Sequence, residues 1–301
     1  MSQQVIEVSR VSRRFGSTLA LDDVSLETPH ACVHGLVGVN GAGKTTLIKH
    51  ILGLLKAKTG TVRVFGLDPV RHPVDVLRRI GYLSEERDLP EWMRIHELMW
   101  YTQAYHPNWD PAYADELLKT FGLDPSKKVK DLSKGMRAQV GLIAAVAHRP
   151  DLLLLDEPSS GLDAVVRRDI LNAIVRTVAD DERTVLFSSH LLDEVEQLSD
   201  YVTMLHEGRV VLEGSLDGIK ERHHLLNIRL PAPSSAPPVL EGTLSLEGDG
   251  RTWTAICSNG IDQVREGLGR IGGEIVGLRN ASLQEIFVAR VGRKHLPVQE
   301  G

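Results

Sequence analysis

Nine consecutive residues, Gly38, Val39, Asn40, Gly41, Ala42, Gly43, Lys44, Thr45 and Thr46, set three glycines ahead of a lysine and two hydroxyls. Glycines in such a loop let main-chain N–H groups turn toward an anion, and a helix opening at its end adds partial positive charge. Lys44 is then expected to reach the β- and γ-phosphates of a nucleoside triphosphate, and the Thr45 hydroxyl to ligate Mg2+. Further on, four leucines at 152–155 run into Asp156, Glu157 and Pro158. The apolar run predicts a buried strand delivering Asp156 to the sheet edge where ligands bind in α/β folds. Asp156 suits the magnesium, and Glu157 is placed to polarise an attacking water as general base. Two carboxylates ending a buried strand could instead be a helix cap with a solvated neighbour, a reading that the phosphate loop already in place disfavours.

The elements that must hold these groups follow from hydrophobic period. Residues 4–11 alternate apolar and polar as a half-buried strand does, and 31–37 form a denser run fit for a strand covered on both faces. A helix is predicted over 45–55, with Leu47, Ile48, Ile51, Leu54 and Leu55 on one side, and strands over 61–65 and 79–83. Residues 92–121 read as helical and hold three of the four tryptophans. After a helix at 132–149, stopped by Pro150, come strand 152–155, helix 164–178, strand 184–188, helix 191–198 and strand 201–206. That alternation predicts a parallel α/β sheet.

The character changes near Lys220. Four of the fourteen prolines fall between Pro231 and Pro238, a stiff linker or long loop. Beyond it, strands at 243–246, 252–257 and 274–278 and helices at 261–270 and 282–291 indicate a small α+β domain. The expected division is 1–220, with a helical subdomain at about 86–150, and an accessory domain at 221–301.

Thirty-five basic against forty acidic side chains leave a charge of −5, which argues against a broad basic surface for nucleic acid. Cys32 and Cys257 are too few for a disulfide framework or a thiolate zinc site and read as small buried hydrophobes. His30/His34 and His223/His224 lack zinc-site spacing and company. Residues 1–16 have no apolar leader core, and no run approaches the roughly 18 apolar residues of a spanning helix, so a cytosolic chain is expected.

The ordered motifs resemble one family, the ATP-binding cassette subunits of ABC transporters, over about residues 4–215. The phosphate loop is followed by Leu132, Ser133, Lys134, Gly135 and Met136 at the signature position, then by Asp156, Glu157 and Pro158. Ser160, Gly161, Leu162 and Asp163 stand at the D-loop, and Ser188, Ser189 and His190 hold the switch histidine. The resemblance implies a P-loop cassette that binds ATP and Mg2+ and closes head to tail with a second cassette. It implies that Phe15 stacks on adenine, although composition alone reads Phe15 as core. Ser133, Lys134, Gly135 and Met136 would face the γ-phosphate held by the opposite subunit, Asp163 would shape the dimer interface, and His190 would sense the terminal phosphate. Glu85, or Glu86 one residue on, stands where the family usually has glutamine; a carboxylate can ligate magnesium but, ionised, donates no hydrogen bond. Lys134 replaces a glycine and Met136 a glutamine, which bears on turnover.

The resemblance further implies a separate transmembrane permease, placing the subunit on the cytoplasmic face of the membrane. Trp92, Met93, Trp100 and Tyr101 are candidates for the surface that receives it, or else the subdomain's own core. An exporter is expected, since one cassette followed by a small C-terminal domain resembles bacterial drug-resistance subunits, as does the stretch Ala281 to Phe287. The alternative is a soluble cassette ATPase of translation or DNA repair. The C-terminal domain is open to sensing, dimerisation or packing roles.

Overall fold

The computed structural model describes residues 4–181 and 183–292. The chain divides into two compact units, Met1–Leu212 and Glu213–Gly301. The last nine residues of the expected accessory domain lie outside the described residues, as do residues 1–3.

In the first unit, strands β1 (Gln4–Phe15), β2 (Thr18–Pro29), β3 (Val33–Val37), β4 (Thr59–Val64), β5 (Ile80–Leu83), β6 (Leu152–Leu155), β7 (Thr184–Ser189), β8 (Tyr201–His206) and β9 (Arg209–Ser215) form two sheets among the described residues. One is antiparallel, ordered β2-β1-β4, and the other runs β5-β6-β7-β3-β8-β9. The pairings of β5 with β6, β6 with β7, β7 with β3 and β3 with β8 are all parallel. Every residue of β3, β6 and β7 is buried, as expected of strands covered on both faces.

The expected parallel sheet is therefore present, and the strands expected at 4–11 and 61–65 are β1 and β4 of an antiparallel sheet whose third strand, β2, was not anticipated. The edge strand β2 mixes Asp22, Asp23 and Glu27 with the apolar residues, which masks the alternation. Leu21, Val24 and Leu26 nevertheless face inward and share a core with Ile6, Val8 and the phosphate-loop helix. That helix, α1 (Lys44–Ile51), is shorter than the 45–55 expected, because Leu54 is exposed beyond its end.

Helix α2 (Pro73–Leu77) precedes β5. The span 92–121 is two helices, α3 (Ile95–Gln103) and α4 (Pro111–Thr120), because Pro107 lies between them and Asp110 opens a new helix by accepting from Tyr113 N–H. Helix α5 (Lys134–Val146) packs on β5, so closely that a Cβ on Gly81 would lie 2.0 Å from the Ala145 carbonyl oxygen. Helices α6 (Ala164–Asp181) and α7 (Leu192–Leu198) follow β6 and β7. No helix of the described residues is long and apolar enough to cross a membrane.

In the second unit, β10 (His223–Ser234) lies between β11 (Thr243–Ser258) and β12 (Glu274–Asn280), all antiparallel to it. Helices α8 (Leu216–Arg222), α9 (Ile261–Ile271) and α10 (Leu283–Val291) complete it. The proline-rich stretch is not a linker between the units. Pro231 to Ser234 finish β10, and the remainder is the loop before β11. Residues 243–246 and 252–257 belong to one long strand, since Gly248 and Gly250 turn the backbone without ending it. Ser282 and Glu285 cap α10 reciprocally, which gives the 281–287 stretch a local reason for its sequence.

Candidate functional site

The parallel register sets the site. Leu155 pairs with Phe187 and Val37 with Ser189, so the ends of β3, β6 and β7 bring Gly38, Asp156 and His190 to one sheet edge. At the end of β3 the loop turns through Gly43, whose φ of 110° and closeness to the Ala20 carbonyl, 2.5 Å from a would-be Cβ, leave room for no other residue. Helix α1 has no capping side chain and no acid in its first turn, so its leading N–H groups face the loop cradle.

Lys44 is buried inside that cradle. Its Nζ donates to the Gly38 carbonyl at 2.6 Å and lies 2.9 Å from Glu157 Oε1. Glu157 Oε2 lies 2.7 Å from His190 Nδ1, so one carboxylate joins the phosphate loop, the end of β6 and the switch histidine. The Glu157 backbone sits in the left-handed region, φ 48°, held there by its N–H donating to Ser188 Oγ at 2.9 Å. Such strain in a non-glycine residue persists only where the surroundings impose it. Ser188 Oγ–H in turn donates to Asp156 Oδ1 at 2.7 Å, fixing the other carboxylate.

Burial pushes the Glu157 carboxyl up, but the His190 hydrogen bond and the Lys44 charge outweigh it, leaving its pKa below the usual carboxylate value. The same hydrogen bond raises the His190 pKa above its ordinary 6.5, against the effect of burial. Glu157 is thus ionised at neutral pH. Phosphate and magnesium chemistry fits these residues: a buried lysine and an uncapped helix start for phosphate oxygens, and a hydroxyl and a buried carboxylate for a hard cation.

The other expected residues are placed as follows. Phe15 ends β1 and is 45% exposed, with the Arg13 guanidinium 4.7 Å from its ring centre, so the core reading of composition does not hold. Ser133 caps α5, accepting from Met136 N–H at 3.2 Å. The Lys134 side chain lies over Gly161, its Nζ 2.2 Å from where a Cβ on that glycine would be, so the signature and D-loop segments touch. Asp163 caps α6, accepting from the N–H groups of Val165 and Val166.

Glu85 is not brought to the cluster. It is exposed, and the group that feels its charge is Arg87. Trp92 and Trp100 stand 71% and 72% exposed and Tyr101 is also exposed, but Met93 is buried and is subdomain core, not surface. His34 is a core histidine between two threonines, with Nδ1 and Nε2 each 2.9 Å from a hydroxyl. Cys32 and Cys257 are buried free thiols. Sequence reasoning missed Arg87, Ser159, Ser188 and Glu194, ordinary polar residues whose importance comes only from what the fold packs around them.

A loop-and-helix phosphate cradle, paired carboxylates and a histidine on one edge of a parallel sheet define a P-loop ATPase. Residues 21–160 match the family model described as ABC transporter. The chain is 37% identical to the ABC transporter ATP-binding protein NatA of Bacillus subtilis, over 72% of this chain and 92% of that one. It is 34% identical to the daunorubicin/doxorubicin resistance ATP-binding protein DrrA of Streptomyces peucetius, over 96% of this chain and 93% of that one. A solved structure of an ABC transporter ATP-binding subunit matches with a TM-score of 0.66 at 30% identity, covering 72% of this chain and 92% of that one. The chain belongs to the family of ABC transporter ATP-binding proteins, as an ATP-binding and ATP-hydrolysing subunit.

Proposed function

We propose that two copies of this chain, or this chain and a homologous subunit, close around ATP and drive export through a separate permease on the cytoplasmic face of a membrane. The observation that carries the reading is the single carboxylate of Glu157 bound at once to Lys44 and His190. In the bound state Lys44 and the α1 N–H groups take the β- and γ-phosphates, while Phe15 offers its exposed ring to the adenine. Glu157 takes the proton of a water whose oxygen bonds to the γ-phosphorus as the bond to the β-phosphate oxygen breaks, releasing ADP and phosphate. His190 then holds the γ-phosphate oxygens. Thr45 and Asp156 would hold magnesium, with Glu85 joining them only if its loop moves in, and the ion would supply charge neutralisation to the phosphates.

From the second subunit, Ser133, Lys134, Gly135 and Met136 face the γ-phosphate, and Asp163 shapes the interface. ATP favours the closed form only because its terminal phosphate gains contacts there that ADP lacks. The exposed Trp92, Trp100 and Tyr101 supply the apolar surface for the permease. Export is favoured because DrrA, named for resistance to daunorubicin and doxorubicin, matches nearly the whole chain. The test is Glu157→Gln with ATP and magnesium. Phosphate release is expected to slow by about 100-fold or more, with a dimer appearing in sedimentation velocity. Wild-type turnover, or a monomer with ATP bound, overturns the reading.

A further inference from the structure

The turn Pro158-Ser159-Ser160, which leads from Glu157 toward Asp163, is gripped from two sides by buried charges of opposite sign. On one side Arg87, 5% exposed, donates through Nη2 to the carbonyl oxygens of Pro158 at 3.1 Å and Ser160 at 3.0 Å. Arg87 comes from the loop after β5, two residues beyond Glu85. Its own backbone is left-handed, φ 53°, and its N–H donates to Ser84 Oγ at 3.2 Å. On the other side Glu194, 1% exposed, accepts from Ser159 Oγ–H at 2.8 Å and from Ser189 Oγ–H at 3.0 Å. Glu194 lies on α7, and Ser189 immediately precedes His190. Arg167, in the first turn of α6 after Asp163, pairs with the same carboxylate.

Buried charges are costly unless paired and hydrogen-bonded, and removing one partner leaves the other uncompensated. A displacement of the Glu85 loop therefore pulls on the Pro158 and Ser160 carbonyls, and a displacement at His190 pulls on Ser159 through Glu194. Both strains converge on the segment Gly161 to Asp163. The Nε and Nη1 hydrogens of Arg87 are buried with no acceptor among the described residues, which leaves its guanidinium able to take another partner as the loop shifts.

We propose that Arg87 and Glu194 are positioning residues that couple the Glu85 loop and the His190 loop to the segment 160–163, so that loss of the γ-phosphate is passed to the opposite subunit. The inference rests on the functional reading above, in which that segment borders the dimer interface. Neither residue touches nucleotide. Each acts through the three-residue turn it holds.

The experiment compares Arg87→Met, Arg87→Lys, Glu194→Gln and Ser159→Ala in the full chain, each alone and in the Glu157→Gln background. For Arg87→Met and Glu194→Gln, kcat is expected to fall about tenfold or more while the KM for ATP stays within about threefold, the split that marks loss at the transition state. In the Glu157→Gln background the lifetime of the ATP-held dimer is expected to shorten about tenfold. Arg87→Lys, which keeps one donor and the charge, is expected to restore part of kcat. The double variant Arg87→Met/Glu194→Gln is expected to be no slower than the worse single one, because both act on one turn. Folded variants, by unchanged melting temperature, with wild-type kcat and dimer lifetime overturn the proposal. Where Arg87→Met or Glu194→Gln fails to fold, Arg87→Lys and Ser159→Ala decide by the same two readouts. Failure of Glu157→Gln alone to stall or dimerise would instead strike the underlying reading.

Discussion

The ammonium of Lys44 lies 2.9 Å from the carboxylate of Glu157, so the cation placed for phosphate already has an anion of the protein's own. Nucleotide binding is therefore an exchange of partners. As Lys44 transfers to phosphate oxygens, Glu157 would lose one of the partners that, after His190, hold its pKa down against burial, and its base strength is expected to rise. Glu157→Gln removes the competing anion and is expected to tighten nucleotide binding about tenfold, roughly one charge-assisted hydrogen bond. Lys44→Ala is expected to weaken it by about 100-fold or more. Calorimetric titration with ADP reads both, and equal affinities for Glu157→Gln and wild type would remove the exchange.

The second pair partner carries a pH signature. The folded pKa of His190 is raised, so its share of stability is in place below 6.5 and is lost as pH climbs through the raised value. Glu157 is lowered, so its share is present above its ordinary 4.5 and is lost as pH falls through the folded value. Their ion pair is accordingly strongest between these limits. Titrating the His190 imidazole by NMR should give a pKa above 6.5 in the wild type and a value that falls in Glu157→Gln. A pKa unmoved by that substitution would mean the hydrogen bond does not set it.

The phosphate loop, the end of β6 and the switch histidine were legible because each depends on contiguous residue types: glycines, a run of leucines, a lysine at a fixed place. The chemistry proposed for Lys44 and Asp156 rests on those few positions. Arg87 and Glu194 were not legible, because their roles come from contacts 71 and 35 residues away in sequence. The strand β2 was missed for a related reason. Its charged residues face solvent on a hairpin whose inner face is recognisable only once β1 and α1 are in place. The accessory unit is legible in outline, but the start of the proline-rich stretch, expected as a stiff linker or long loop, finishes the central strand β10 as far as Ser234.

Glu85 tests a departure from the family pattern. It is exposed, and its charge acts on Arg87. If it joins the magnesium in the bound state, Glu85→Gln replaces an anionic ligand by a neutral one. The expected result is a magnesium requirement raised about threefold to tenfold, with the KM for ATP at saturating magnesium little changed. Steady-state ATPase assays across a magnesium series measure it. Identical curves would assign the carboxylate to Arg87 alone.

His34 bears on stability and not on catalysis. It is the second residue of β3, the strand that leads into the phosphate loop, and is bonded on both nitrogens to Thr28 and Thr203 hydroxyls. Burial pushes its pKa down to about 3, so the imidazole stays neutral in the folded state while the unfolded chain takes up a proton near 6.5. Between those values the unfolded state binds more protons, and stability must fall as pH falls, by about 1.4 kcal/mol per unit. By pH 5 that amounts to about 2 kcal/mol from this one residue. Replacing His34 by Gln, which keeps a donor and an acceptor but cannot be charged, should flatten the pH dependence of the urea midpoint between pH 7 and 5. An unchanged slope in that variant would show that the acid sensitivity arises elsewhere in the fold, with His148, lowered to about 4 by burial, the next residue to substitute.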